Sequence, residues 1–180
     1  MSDPNVGRTN MPTLGANKIF RFKIGRVVEV AHASKGFGYL VASFQRPRFG
    51  SFFSLITKTY SVPIADEDLE ELVHAPQTTI WLNTYRLFGR DGPVKFSGRR
   101  DLASFVPSKA KFWFGPEVGP LTLEEADGSI SYQRVSSSFQ EVEIEMERQG
   151  YVHSVLWPPA SVAEFLFDDR PLRWSAHKKY

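Results

Sequence analysis

The 180-residue chain predicts an α+β protein: a bent antiparallel sheet or small β-barrel, followed by a hairpin and two packed helices. Three observations lead there. Between Phe20 and Ile56 apolar residues recur with a period of two, the pattern of half-buried strands. Asp127-Gly128 lies between two further alternating runs, a strong short-range hairpin signal. Behind it come Ser138-Phe139-Gln140-Glu141 and Pro158-Pro159, which fit a capping box and a proline-opened helix.

Taken in order, the first strand is Phe20 to Ile24, with apolar residues alternating with charges, and Gly25 marks a bulge or bend before Val27-Val28-Glu29-Val30. Gly36 to Ala42 and Phe49 to Ile56 follow as strands, joined by the basic turn Gln45-Arg46-Pro47-Arg48. Asp66 to His74 reads as a short helix, its first turn crowded with acids that favour the helix dipole, and Pro76 ends it. Thr78 to Phe88 is a strand apolar on both sides for part of its length, hence a central one. Val94 to Gly98 is a short strand. Leu121 to Ala126 and Ser129 to Val135 form the two arms of the hairpin. The segment Glu141 to Glu147 alternates as a strand would. The serine cap, the helix-favouring glutamates and Gly150 beyond them argue for a helix from Phe139 to Gln149 instead. Tyr151 to Trp157 is a strand, and Ser161 to Asp168 a last helix with Val162, Phe165 and Leu166 on its apolar side.

This organisation divides the chain into a flexible tail over residues 1–17, a β-rich unit over 18–115, and a hairpin with helices over 116–180 packed on it as one unit. The length suits burial of a core without staples, and the absence of cysteine excludes disulfides and thiolate metal sites. No apolar run reaches the roughly 18 residues of a membrane span, and the first residues lack the apolar core of a secretory signal, so the expected compartment is the cytoplasm. The net charge of +2 conceals a division. Residues 1–115 hold 16 basic and 9 acidic side chains, and residues 116–180 hold 6 and 11. A basic front and an acidic back bear on partners rather than on fold.

No enzyme motif is complete. Gly36-Phe37-Gly38 opens like a dinucleotide loop, but Val41 stands where the third glycine belongs and the context is strand to strand. There is no phosphate loop and no nucleophile elbow. His32, His74, His153 and His177 stand singly, without metal-ligand spacing. The expectation is a protein without catalytic residues, metal or cofactor. Two patterns point to partners. Lys35, Phe37 and Tyr39 share one side of a strand, and Arg46 and Arg48 extend its charge, as in sheets that stack bases and hold phosphates; the same rings also suit a barrel interior. The acids Glu141 and Glu145, with Asp168 and Asp169, offer an alternative surface that would steer a cationic protein.

Several pieces in register carry a family resemblance: Phe22 to Val30, Gly36 to Leu40, Val94 to Gly98, Phe105-Val106-Pro107, Lys111 to Gly115, Asp127-Gly128, the capped segment around Glu141, and Val162 to Leu166. Over roughly Lys18 to Arg170 the chain resembles bacterial immunity proteins of the family numbered 26, found in polymorphic toxin loci. The resemblance implies a non-enzymatic protein that neutralises a cognate toxin, often a nuclease, by stoichiometric contact. It assigns no binding residue. The alternative is a nucleic-acid-binding barrel using Lys35, Phe37, Tyr39, Arg46 and Arg48.

Overall fold

The structure, a computed structural model, describes residues 22–46, 50–84, 87–89, 92–106, 110–115, 120–134, 136–173 and 175. The expected tail over residues 1–17, the strand residues Phe20 and Arg21, and Arg48 lie outside the described residues, as does the side chain of Arg46.

The fold is α+β, with two open sheets rather than a barrel. Sheet A contains β1 (Arg26–His32), β2 (Gly36–Arg46), β3 (Gly50–Ile56), β4 (Gln77–Leu82), β5 (Val94–Asp101) and β10 (Leu156–Trp157), in the order β10-β4-β3-β2-β1-β5. Sheet B contains β6 (Lys111–Phe114), β7 (Pro120–Glu124), β8 (Ile130–Arg134) and β9 (Tyr151–His153), in the order β8-β7-β6-β9. Neighbours run antiparallel except β10 beside β4 and β9 beside β6. The helices are α1 (Phe139–Arg148) and α2 (Pro159–Asp168), with 3-10 helices at Asp66–His74 and Leu87–Gly89.

Alternation along the strands divides the core of sheet A in two. Val28, Val30, Leu40, Phe53, Leu55 and Ile80 pack with Val162 and Leu166 of α2. Val27, Tyr39, Val41 and Ile56 meet Leu69 and Leu72 of the long 3-10 helix on the opposite side. Each such side chain contributes about 1.5–3 kcal/mol on burial. Two glycines permit this closeness. Gly36 has φ +99° beside the Tyr60 carbonyl, where Phe37 and Tyr60 form an isolated bridge. At Gly38 an added Cβ would fall 2.6 Å from Cδ1 of Leu166, so the missing side chain lets α2 approach β2.

Several expectations are corrected. Residues 22–24 are not strand: the chain turns at Ile24 and Gly25, the latter at φ +85°. Phe22 is nevertheless buried, with its N–H donated to Ser51 Oγ at 3.1 Å. Asp66–His74 winds as a 3-10 helix, and the expected strand Thr78 to Phe88 ends at Leu82. The expected single strand Tyr151 to Trp157 is split between sheets: β9 belongs to sheet B, β10 to sheet A, and the chain crosses over at Ser154 and Val155. Residues 116–180 therefore do not pack as one appended unit. β6 lies at the interior of sheet B, α1 packs on that sheet, and α2 packs on sheet A.

The ambiguous glutamate segment is helical. Ser138 Oγ accepts the N–H of Glu141, and the Glu141 carboxylate accepts the N–H of Ser138, closing the capping box. Alternation along the sequence lost to the cap and to the burial of Val142 and Met146, four residues apart, against Trp113, Leu121 and Leu123.

Candidate functional site

The residues singled out in sequence do not assemble into one site. Glu141 is committed to the capping box, whose Ser138 main-chain and hydroxyl donors hold its carboxyl below the usual range. Glu145 accepts from Arg148 and Gln149, and these contacts lower its pKa to about 2. Both lie on α1, beside sheet B. Asp168 and Asp169 end α2, beside sheet A, with Asp169 in the left-handed region at φ 53°. Asp168 ion-pairs with Lys35. A residue from each rival surface is thus joined to the other in one exposed bridge.

The base-stacking pattern meets a direct obstacle. Tyr39 is 0% exposed, and its hydroxyl is held between Glu29 and the N–H of Ile64, at 3.2 Å and 2.7 Å. Phe37 is half-buried and packs against the same cluster. The two rings share a side of β2, as expected, but that side is core. Its polar centre joins three strands. Glu29 lies opposite Tyr39 in register, and Arg99 of β5 pairs with Glu29 and reaches Asp66 at 2.7 Å. Burial pushes the Tyr39 phenol up to about 12; the Ile64 N–H opposes this and the charge of Glu29 adds to it.

Two other features have the makings of a site. The first is the outer side of sheet B. Trp113, Leu121 and Leu123 face α1, so Phe112, Phe114, Thr122 and Glu124 point away from it. The register carries these across the hairpin into two rows, Phe112–Glu124–Ile130 and Phe114–Thr122–Tyr132. Phe112 is covered by the rings of Phe44 and Phe52 from sheet A, at 5.6 and 5.2 Å between centroids. Thr122 and Glu124 are partly buried, and Phe114, Ile130 and Tyr132 are 40%, 58% and 76% exposed. β8 is also an edge strand, and all five of its residues are exposed.

The second is a cavity of about 270 Å³ at the seam of the two sheets. Glu143 of α1, Trp113 of β6, His153 of β9, Thr79 of β4, Trp157 of β10 and Arg173 beyond α2 all line it. Glu143, though charged, has a side chain only 3% exposed; it stands 3.3 Å from His153 Nδ1 and accepts the N–H of Ser175 at 2.9 Å. The imidazole stacks on Trp113, with centroids 3.9 Å apart and planes at 11°.

Sequence reasoning passed over both features, although each left a trace. Counting outward from Asp127-Gly128 pairs Tyr132 with Thr122, opposite in direction to Leu121 and Leu123. Glu143 lies next to Val142 and three residues before Met146, so the buried stripe of α1 includes it. His153 left no such trace, since only its sheet partner brings it beside α1. Comparison of the chain with protein-family models, curated proteins and solved structures found no match.

Proposed function

We propose that this chain is an immunity protein, a stoichiometric inhibitor that neutralises a cognate bacterial toxin in the cytoplasm through the outer side of sheet B. The observation that carries the reading is the exposed apolar patch of Phe114, Ile130 and Tyr132, on β6 and on the hairpin's edge strand β8. An edge strand offers unpaired main-chain donors and acceptors, which another strand satisfies. Exposed aromatic and aliphatic side chains beside it offer desolvated anchors. A polypeptide partner supplies both complements at once, whereas a nucleic acid stacks on exposed rings but brings no strand to pair with the edge. The charge of the acidic back third then sets association rate and orientation rather than the bulk of the affinity.

The proposal is tested with the gene product encoded beside this one. Expression of that product alone should arrest growth, and co-expression with this chain should restore it. The double substitution Ile130→Asp and Tyr132→Asp should abolish rescue without unfolding the protein, and Tyr132→Ala should weaken the complex by at least about 30-fold, the effect of an interface hot spot. Rescue by the double variant equal to that by the native chain would sink the assignment of this surface. Nucleic-acid retention at low salt that collapses at high salt would overturn the toxin reading itself.

A further inference from the structure

We propose that the open edge of β8 pairs with the same edge of a second copy of this chain, antiparallel about a two-fold axis at Tyr132, so that the two copies of sheet B become one continuous sheet. This goes beyond toxin neutralisation and does not depend on it; where both hold, a toxin strand displaces the second copy.

Main-chain direction selects a strand as the occupant. Glu125 donates its N–H to the Ser129 carbonyl at 2.9 Å. Residue pairs in an antiparallel ladder alternate between bonded and non-bonded, so in this register Leu123 bonds with Ser131 and Leu121 with Gln133. Ile130, Tyr132 and Arg134 therefore turn their N–H and C=O groups away from β7. Among the described residues no strand meets them. Their side chains share the outer side of the sheet with Phe114 and Thr122.

The residues of β8 select a second copy. Edge strands are ordinarily kept single by a lysine, a proline or a charge along their length. At the edge of sheet A, β5 follows this rule with the exposed Lys95. Ile130-Ser131-Tyr132-Gln133-Arg134 holds one charge, and that at its end. Reversed and laid beside itself, this segment is self-complementary. In the register centred on Tyr132, that residue faces its own copy, Ile130 faces Arg134 and Ser131 faces Gln133. Every outward N–H and C=O of β8 then finds a partner. Shifting the register leaves one of the outward residues unmatched, and centring it on Arg134 sets like charges face to face. The row Phe114–Thr122–Tyr132 continues into the second copy through a cross-strand pair of rings. Arg134 of the second copy extends the row of Glu124 and Ile130, and its charge is opposite to that of Glu124. The two-fold axis consumes the same edge on both copies, so the assembly closes at two. A single strand of 5 residues makes a small contact, and small interfaces associate weakly.

The test uses the full chain alone. Sedimentation from about 1 μM to about 1 mM should show a monomer–dimer equilibrium with half-association below about 500 μM. Tyr132→Pro removes an N–H that β7 does not use, a change edge strands tolerate, and should weaken association at least about tenfold. Amide exchange read by NMR gives the location: in the concentrated sample it should slow most at Ile130, Tyr132 and Arg134, and less at Ser131 and Gln133, which β7 already holds. Half-association above about 500 μM, association undiminished in Tyr132→Pro, or concentration-dependent protection centred on another strand overturns the proposal. Should Tyr132→Pro fail to fold, exchange in the native chain decides between β8 and any other contact. No toxin enters these measurements, so a failed growth rescue leaves the dimer standing, and a monomer leaves the toxin reading standing.

Discussion

Sheet A is covered on both sides, by α2 on one and by the Asp66–His74 helix on the other, whereas among the described residues sheet B is covered by α1 on one side and chiefly at Phe112 on the other. The strands themselves alternate in the same way. In sheet A most side chains of the central strands β1, β2 and β3 find a layer to enter, and even Glu29, a charge at an inward position, is matched by Tyr39 and Arg99. In sheet B the outward rows end at Phe114, Ile130 and Tyr132, which are exposed, with no layer above them among the described residues. Alternation decides which side chains share a surface; the supply of covering helices decides whether that surface becomes core or contact. A stable scaffold and an exposed patch can therefore come from one strand pattern.

The comparison breaks most readily at the polar centre of sheet A. Arg99→Met leaves Glu29 buried beside Tyr39 without its cation and should cost about 3 kcal/mol in urea unfolding. The double variant Glu29→Gln with Arg99→Met should recover most of that loss, because no charge is then stranded. Next in size is Tyr39→Phe, which removes the acceptor for Ile64 N–H and the donor to Glu29 and should cost about 2 kcal/mol.

Tyr39 also predicts an alkaline limit. Its folded pKa is raised to about 12 from an ordinary value of 10.0. The unfolded chain therefore loses this proton first, and the contribution is complete below pH 10 and vanishes as pH rises through 12. Stability measured from pH 9 to 12 should fall in the native chain and fall less in Tyr39→Phe. At the acid end Glu70, held at about 2 by Ser104 and the N–H of Ala103, acts in the opposite sense: its contribution is present above its ordinary value of 4.5 and disappears as pH drops through 2.

Sheet B should respond less. Ser138→Ala removes the cap of α1 and should cost about 1 kcal/mol, with the loss of protection in hydrogen exchange concentrated at the first turn of that helix. The smallest effect on stability sharpens the comparison most: Tyr132→Ser, at an exposed position, should shift thermal unfolding by no more than about 0.5 kcal/mol. A large loss there would mean that the outer side of sheet B is part of the core after all.

The hairpin about Asp127-Gly128, the capped α1 and the proline-opened α2 were legible because each depends on neighbours a few residues away. The strand expected over Tyr151 to Trp157 was half legible: both ends are extended, but nothing local records that Tyr151 pairs beside Lys111 and Trp157 beside Leu82. The acidic residues were legible as charges and not as a site, since Glu141 and Glu145 are bound within α1 while Asp168 pairs with Lys35, 133 residues distant.

Composition, alternation and caps determined by themselves that this is an α+β chain and where most of its strands and helices lie, since those preferences arise from backbone sterics and neighbouring side chains. Only the tertiary structure decided that Tyr39 is core, that Tyr132 is surface, and that Glu143, His153 and Trp113 meet at one cavity. Burial and long-range pairing depend on which layers come to lie above a residue, and a local pattern carries no record of that.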